Sequence, residues 1–398
     1  MTATVKQARD EHEQALTVTK ILLVSSLDTN LIAFRLPLAH ALKREGHEVA
    51  FVCPPGDRTS VLQQEGFRTI TWDIKRFGTN PISEVQAIRR LARIYRTESP
   101  DVVQHFTIKP NLYGPVAARL AKVPYVIDTW TGLGFLFTPT KKARFLRMGL
   151  IPVLRVLLRS ARHSNVFQNT DDLDTLADVG LVRRELCSVV PGSGVNTEIF
   201  RPALATESHH EGALSHPVRV LLAARLLWDK GIGEYVQAAK AIRQMGVDAE
   251  FAIAGDLDPS NPSGIPSDTV ERWREEGDVI FLGHRNDMPD LLRDTDVAVL
   301  PSYHEGVPRF LLEAASTGLP LVATDIAGCR TVVRDGENGI IVPRKDTVAL
   351  TRAIRLLAQD EQMRTRFGTS SRRLAEEEFA QEQITSRYLD IYHQMGIL

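Results

Sequence analysis

Short apolar runs alternate with amphipathic stretches along most of this chain. Runs of strand length occur at Lys20-Ile-Leu-Leu-Val-Ser25, Gly46-His-Glu-Val-Ala-Phe-Val52 and Val218-Arg-Val-Leu-Leu-Ala-Ala224. A helical pattern over residues 34–44 separates the first two runs, and similar patterns follow the later ones. Apolar strands that alternate with amphipathic helices are typical of a parallel sheet with right-handed crossovers. The pattern therefore predicts an α/β fold.

Chain length and a change in composition predict two such domains. The 398 residues exceed what one hydrophobic core usually organises. The polar residues between 203 and 217 have the composition of an interdomain linker. We therefore expect a flexible tail over 1–19, a first Rossmann-like domain over 20–202, a linker over 203–217, a second Rossmann-like domain over 218–380, and a C-terminal helix over 381–398 that packs back on the first domain.

Composition and charge exclude several classes of protein. A formal net charge of −1 argues against a general nucleic-acid binder. Three widely separated cysteines form neither a disulfide framework nor a metal cluster, which suits a reducing cytoplasm. Residues 1–19 lack the apolar core of a signal peptide, and no run approaches the ~20 apolar residues that a spanning helix needs. We expect a cytoplasmic protein.

The segment Tyr303–Glu313 carries the most specific chemistry in the chain. It follows an apolar run of strand length, precedes a helical stretch over 310–316, and a further strand pattern begins at Leu319. Ligands of open α/β sheets bind at the carboxyl ends of strands, where this loop lies. Glu305 in the loop and Glu313 on the helix can therefore reach one ligand from different sides. A solvated acidic helix start is the alternative interpretation.

Two cations, Arg225 and Lys230, follow the first strand of the second domain. Arginine can hold two phosphate oxygens in a fork while lysine supplies a point charge, so the pair suits a diphosphate. The free amides of residues 306–310 open a helix, which attracts phosphate, and Pro308 suits its first turn. Two solvated surface cations are the alternative. Arg309 is equally consistent with a phosphate or sugar contact and with a solvated helix start.

Together these motifs resemble family 4 of the retaining, nucleotide-sugar-dependent glycosyltransferases, which have the GT-B fold of two Rossmann-like domains facing each other across a cleft. The resemblance implies that Arg225 and Lys230 neutralise the donor diphosphate, that Glu313 bonds the ribose and that Glu305 faces the donor sugar. Thr331 stands where family members often carry an acid, so no role is assigned there. The remaining donor-binding residues implied by the resemblance are Gly283 and His284 in the nucleobase loop, Gly306, Val307, Pro308 and Arg309.

Two segments of the first half resemble the acceptor side of bacterial transferases that extend sugars on a polyprenyl-diphosphate lipid. They are Gln104–Gly114, which contains Lys-Pro-Asn-x-Tyr-Gly, and the segment that begins Thr131-Gly132. His105 is the polar group that we expect to meet the reacting centre, although a histidine at a strand end is as often structural. Lys109 is a candidate for an anionic acceptor group. The acceptor-binding residues implied are Lys109, Asn111, Thr131 and Gly132.

A basic segment lies between residues 141 and 163. It contains seven Lys or Arg, and no acidic residue occurs from Thr129 to Thr170. Arg155, Arg159 and Arg162 share one helical face and several leucines share another. Such a stretch suits an anionic membrane surface, at roughly 1 kcal/mol per cation near the headgroups. A core-packing helix with a solvated basic face explains it nearly as well.

The sequence predicts a retaining glycosyltransferase at the inner face of the cell membrane. It moves a hexose or N-acetylhexosamine from a UDP-sugar to a polyprenyl-diphosphate-linked saccharide, with His105, Arg225, Lys230 and Glu305 as catalytic residues. We expect no metal and no other cofactor, because we assign no Asp-x-Asp pair to a donor-bound metal and find no His/Cys cluster. The alternatives are a UDP-sugar 2-epimerase, which leaves the acceptor motif unexplained, a transferase with a soluble acceptor, and a non-catalytic scaffold.

Overall fold

The computed structural model describes residues 18–56, 58–74, 80–133, 151–203 and 217–398, which form two compact units. Unit 1 takes in the described residues up to Phe167, then Asp172–Val189 and Thr385–Leu398; unit 2 takes in Gln168–Asp171 and Val190–Ile384. The sequence predicts that the first domain ends at residue 202. The units divide earlier because Val195 and Phe200 are buried in an apolar cluster of unit 2.

Unit 1 is built on a seven-stranded parallel sheet in the order β3-β2-β1-β4-β5-β6-β7. Its strands are β1 (Lys20–Ser25), β2 (Glu48–Cys53), β3 (Arg68–Thr71), β4 (Val102–Phe106), β5 (Tyr125–Trp130), β6 (His163–Phe167) and β7 (Cys187–Val189). Its helices are α1 (Asp28–Phe34), α2 (Leu36–Arg44), α3 (Thr59–Gln64), α4 (Pro81–Glu98), α5 (Ile108–Ala121), α6 (151–158) and α7 (Thr170–Asp178), the last of which begins within unit 2.

The parallel register brings the carboxyl ends of three strands of unit 1 to one edge. Ser25 of β1 pairs with Phe106 of β4, and Phe106 pairs with Thr129 of β5. The segments that begin at Thr107 and Thr131 therefore start side by side. This edge carries the predicted acceptor residues.

The helix predicted over residues 34–44 corresponds to α2, and a further helix, α1, precedes it. Helix α1 ends at Phe34, and α2 begins at Leu36 with Pro37 in its first turn. Proline lacks an amide hydrogen and clashes with the preceding turn, so a continuous helix through this position is disfavoured. Arg35 lies between the two helices, is 1% exposed, and donates from Nη1 to the hydroxyl of Tyr388 at 3.3 Å. Tyr388 lies on the C-terminal segment of unit 1, where Tyr392 donates to Gln104 at 2.8 Å.

Unit 2 contains a six-stranded parallel sheet in the order β10-β9-β8-β11-β12-β13. Its strands are β8 (Val218–Ala223), β9 (Ala249–Ala254), β10 (Ile280–Gly283), β11 (Val297–Leu300), β12 (Leu321–Thr324) and β13 (Gly339–Val342). Its helices are α8 (Ile232–Gln244), α9 (Ser267–Glu276), α10 (Met288–Arg293), α11 (Arg309–Ser316), α12 (Ala327–Val332), α13 (Thr347–Gln359), α14 (Glu361–Leu374) and the start of α15 (Gln381–Gln394).

Strand order reverses at β8, which has β9 on one side and β11 on the other. A crevice at the carboxyl ends of strands forms at such a switch point, and it is the usual ligand site of an open α/β sheet. The loops after β8, β9 and β11 meet there. The prediction of two Rossmann-like α/β domains is confirmed by the two parallel sheets. In the described part of the chain, no helix is long and apolar enough to cross a membrane.

Candidate active site

A cavity of about 510 Å³ opens at the switch point of unit 2. Its volume falls in the range of small-molecule sites. Arg225 from the loop after β8, His284 from the loop after β10, and Arg309 and Glu313 from α11 all line it. The structure therefore brings together four donor-side residues that the sequence places far apart.

Glycine allows the loops after β8 and β11 to touch. Gly231 has φ +71°, and a Cβ at this position would lie 2.1 Å from the carbonyl oxygen of Pro301. That distance is far inside van der Waals contact, and the positive φ is itself costly for other residues. On the same interface, the amide of Tyr303 donates to the carbonyl of Asp229 at 2.8 Å. This close approach places Lys230 against the loop that carries Glu305.

Lys230 and Glu305 form an ion pair at the rim of this crevice. Nζ of Lys230 donates to Oε1 of Glu305, and the two side chains are 20% and 14% exposed. Neither residue is among those that line the 510 Å³ cavity. Because both groups are largely shielded from water, their attraction exceeds that of a surface pair. Glu305 thus fixes the position of the ammonium group.

Arg225 is paired in a similar way with a residue to which the sequence analysis gave no role. Its Nη1 donates to Oδ2 of Asp258 at 2.6 Å, and Asp258 is 18% exposed. Asp258 lies in the loop Gly255-Asp-Leu-Asp258 after β9. The sequence shows that this loop follows an apolar strand, but it does not indicate which cation the carboxylate pairs with.

Glu313 lies one helical turn after Arg309 on α11, and Nε of Arg309 donates to its Oε1. The carboxylate lines the cavity although the residue is only 7% exposed. Burial raises the pKa of Glu313 above its ordinary value, and the charge and hydrogen bond of Arg309 oppose the shift without cancelling it. A buried acceptor with one occupied oxygen is suited to bind hydroxyl groups of a ligand.

The loop before α11 carries the predicted amide site. Helix α11 begins at Arg309 after Pro308, and no side chain caps it. Amides of a first helical turn have no partner within the helix, so they are suited to bind an anion. The amide of Val307 donates to Oε1 of Gln168 at 3.4 Å within unit 2. The backbone of Gly306 packs closely against Gly328, since a Cβ on Gly328 would overlap the carbonyl oxygen of Gly306.

The loop after β10 forms the opposite wall of the cavity. Gly283 has φ +66°, and its carbonyl accepts from the amide of Gly255 at 2.8 Å. His284 is half-exposed, with Nδ1 lying 3.4 Å from Oδ2 of Asp256 and Nε2 lying 3.2 Å from Oδ1 of Asn286. Both ring edges therefore meet polar groups, while the ring itself lines the cavity.

His105, the polar group that we predicted to meet the reacting centre, is enclosed by protein side chains, and its catalytic role remains a prediction. It is 0% exposed, its Nε2 lies 2.8 Å from the hydroxyl of Tyr95, and its Nδ1 lies 2.6 Å from Oδ1 of Asp128. The other oxygen of Asp128 lies 2.9 Å from Nε2 of His163. Burial would raise the pKa of Asp128, but His163 and His105 outweigh it and hold the pKa below its ordinary value. The structure thus places His105 in a buried network in which both ring nitrogens are occupied.

Lys109 and Asn111 lie on α5 at the predicted acceptor edge, and both already have partners. Nζ of Lys109 lies 3.0 and 2.9 Å from the two oxygens of Glu84, which the sequence analysis missed and which also accepts from Tyr113. Nδ2 of Asn111 donates to the carbonyl of Thr129 at 2.9 Å, while its Oδ1 is buried without a partner. The role of Lys109 in binding an anionic acceptor group remains a prediction. Such a group would compete with the carboxylate of Glu84 for the ammonium group of Lys109.

Thr131 and Gly132 follow β5 at the same edge. Both are half-buried, and Gly132 has φ +119°, a conformation that favours glycine. Their contact with an acceptor also remains a prediction. Within the described ranges, no group of three or more His, Cys, Asp or Glu side chains is arranged to hold a metal ion.

Two protein-family profiles match this sequence, one in each half. The profile described as "Glycosyl transferase 4-like" matches residues 20–169, and the profile described as "Glycosyl transferases group 1" matches residues 217–360. Together they account for most of the two parallel-sheet units.

Similar proteins span nearly the whole chain. N,N'-diacetylbacillosaminyl-diphospho-undecaprenol alpha-1,3-N-acetylgalactosaminyltransferase of Campylobacter jejuni is 28% identical over 94% of this chain and 99% of its own length. N-acetyl-alpha-D-glucosaminyl L-malate synthase of Bacillus anthracis is 32% identical over 90% of this chain and 92% of its own length. The crystal structure of HepE from Anabaena in complex with UDP matches with a TM-score of 0.76 at 16% identity, and covers 94% of this chain and 100% of that one. At this level of identity the structural similarity concerns the fold alone, and the two proteins share that fold.

Proposed function

This chain belongs to the group 1 glycosyltransferases, and on that premise we propose that it moves a hexose or N-acetylhexosamine from a UDP-sugar to a polyprenyl-diphosphate-linked saccharide, with retention of the anomeric configuration. The observation that carries the donor half is the cavity of unit 2, around which Arg225, Arg309 and Glu313 converge. A volume of about 510 Å³ accommodates a nucleotide, and the guanidinium groups of Arg225, Arg285 and Arg309 at its wall suit a diphosphate.

The chemistry that these groups support is stabilisation of a departing diphosphate. As the bond between the anomeric carbon and the phosphate oxygen lengthens, negative charge develops on the β-phosphate. Arg225, Lys230 and the amides at the start of α11 would offset this charge, and such fixed donors commonly supply the largest catalytic contribution. In this proposal the protein groups do so without a metal ion. Glu305 holds the Lys230 ammonium group, which lowers the reorganisation needed during reaction.

Glu313 is proposed to bind the ribose hydroxyls of the donor. It lines the cavity next to Arg309, and its second carboxylate oxygen is not committed to that pair. A ribose diol can donate to this oxygen. Gly283 and His284 are proposed to receive the nucleobase, since His284 lines the same cavity and Gly283 precedes it in the loop after β10.

The acceptor half of the proposal is supported by the similarity to the Campylobacter jejuni enzyme, whose name specifies a diphospho-undecaprenol acceptor. Lys109, Asn111, Thr131 and Gly132 lie at the carboxyl edge of the unit 1 sheet, where such a group would bind. A soluble acceptor is a second candidate, because the Bacillus anthracis relative makes an L-malate product according to its name.

We place the reaction at the cytoplasmic face of the cell membrane, with residues 141–163 in contact with anionic lipid. Residues 141–150 lie outside the described ranges. In α6, Leu154 and Leu158 are buried, whereas Arg155, Val156 and Arg159 are exposed. The helix thus packs on unit 1 through one face and leaves a basic, apolar face open to a membrane.

The proposal is tested by measuring UDP release from a panel of UDP-hexoses and UDP-N-acetylhexosamines. Each donor is incubated with and without a polyprenyl-diphosphate-linked sugar, with EDTA and with added Mg²⁺, and the anomeric proton coupling of the product is read by NMR. We expect acceptor-dependent release from one donor, unchanged by EDTA, and an α-linked product. Donor consumption without UDP release indicates epimerisation, and release that requires L-malate or another soluble acceptor indicates the second candidate.

A further inference from the structure

A second cavity, of about 640 Å³, lies in unit 1. It is bounded by the end of α5, the segment that enters β5, the end of α6 and the first residue of β6. These are the amino ends of the strands. The predicted acceptor residues lie at the carboxyl ends of the same sheet, so this cavity is separate from them.

The walls of this cavity carry one sign of charge. Arg119, Lys122, Arg162 and His163 all line it, and we name these four residues the basic cleft. None of the residues that line the cavity is Asp or Glu. Among the described residues, the cationic groups of Arg119, Lys122 and Arg162 form no salt bridge, whereas Lys109 of the same unit is paired with Glu84. Convergent cations without counter-charges form a site for an anion.

His163 adds a positioned ring nitrogen to the cleft. The residue is 4% exposed, and its Nε2 lies 2.9 Å from Oδ2 of Asp128. Its other ring nitrogen, Nδ1, makes no hydrogen bond within the described part of the chain. Because Asp128 fixes the ring, Nδ1 is held in place at the cavity wall. A ring nitrogen that is held in place and open to the cavity can form a hydrogen bond with a bound ligand.

The rim of the cleft distinguishes a lipid from a soluble anion. Val156 lines the cavity and is 76% exposed, and Val153, one turn earlier on the same helix, is 53% exposed. Leu120, next to Arg119, is 50% exposed. Large aliphatic side chains next to unpaired cations are typical of surfaces that lie in the interface of an anionic membrane.

We propose that the basic cleft binds the phosphate of an anionic lipid headgroup, with Val153, Val156 and Leu120 against the acyl boundary. This deepens the membrane contact of the proposed function, on which it rests, by naming the bound group and the residues that hold it. Lipid binding by the basic cleft does not itself require the transfer reaction.

The test is co-sedimentation of the full-length protein with vesicles of phosphatidylcholine mixed with phosphatidylglycerol, and with vesicles of phosphatidylcholine alone. For Lys122→Gln/Arg162→Gln we expect binding to the anionic vesicles to weaken about 25-fold, since each cation near such a surface contributes about 1 kcal/mol, a factor of about five. The matched control is Arg89→Gln/Arg93→Gln, which removes the same charge from exposed positions of α4. We expect the control to bind within about twofold of the unmodified protein on the same reasoning.

A third variant separates a lipid from a free phosphate. Val156→Ser should weaken binding to anionic vesicles and leave the binding of inorganic phosphate or glycerol phosphate, measured by calorimetry, unchanged. Phosphate binding without vesicle binding would identify a soluble ligand and overturn the proposal. Equal vesicle binding by the cleft variant and the control would also overturn it, because the membrane contact would then lie elsewhere. UDP release in detergent is measured in parallel, so that a failure of transfer is recognised independently of membrane binding.

Discussion

Gly231→Ala tests whether the close approach of two loops creates the donor site. At φ +71° any non-glycine residue is strained, by roughly 1–2 kcal/mol. In addition, the new Cβ would lie 2.1 Å from the carbonyl oxygen of Pro301, so the loops must separate by more than about 1 Å to reach ordinary contact. That shift pulls Lys230 away from Glu305 and from the donor diphosphate. A misplacement of about 1 Å can cost about 100-fold in rate.

Gly246→Ala is the matched control for this prediction. Gly246 also has φ +71°, but a Cβ there would meet nothing within 4 Å. Both variants carry the same backbone strain, and only Gly231→Ala adds the collision. We expect Gly246→Ala to lose roughly 1–2 kcal/mol of unfolding free energy and no activity, and Gly231→Ala to lose more stability and about 100-fold in kcat/KM for UDP release. Denaturant unfolding and the UDP-release assay measure the two quantities. If the two variants behave alike in both assays, the argument from loop contact is wrong.

Three further predictions concern single side chains. Lys230→Met should lower kcat about 100-fold or more through loss of charge stabilisation, whereas Lys240→Met, which breaks the more exposed pair with Glu276, should leave it unchanged; equal kinetics would remove Lys230 from the site. The pKa of Glu313 is raised above 4.5 in the folded chain, so above pH 4.5 the folded chain keeps a proton that the unfolded chain has lost. The stability that Glu313 contributes therefore falls as pH rises from 4.5 through the pKa of the folded state. Melting curves of Glu313→Gln should show a shallower fall over the same pH range. His105→Ala should cost roughly 3 kcal/mol of stability by leaving buried partners unpaired. If the role of His105 is structural, kcat below the melting transition stays within a few-fold, whereas a selective loss of kcat supports the catalytic role predicted for it.

The donor side could be predicted from sequence because its residues lie within a few positions of strand ends. Arg225 follows β8 directly, and Glu305 and Glu313 flank the start of one helix. Once alternating strands and helices are identified, the carboxyl-edge rule locates such residues without knowledge of distant contacts. The partner of Arg225 was not predictable, since Asp258 approaches it from the loop after a neighbouring strand.

The acceptor side was harder because its outcome depends on partners far along the chain. The sequence locates His105 at a strand end but does not show whether its side chain is covered. The register of β4 and β5 places it opposite Asp128, and α4 supplies Tyr95, so the ring becomes enclosed. Lys109 is paired by Glu84, also from α4. Helix α4 thus supplies the partners of both His105 and Lys109. No local pattern in the acceptor motif indicates where α4 packs.

In the proposed donor site, a preference for a diphosphate would come from the arrangement of the charges rather than from excess positive charge. Each of its described Lys and Arg residues is paired with a carboxylate: Arg225 with Asp258, Arg285 with Asp287, Lys230 with Glu305 and Arg309 with Glu313. An unpaired cluster of these cations would repel itself and would hold any polyanion tightly, including the UDP product. Paired cations are fixed in position at low electrostatic cost, and the amides of α11 add an attraction that acts over a short range. A diphosphate that fits the cavity then meets oriented donors, and the nearby carboxylates keep the product from being held too strongly for turnover.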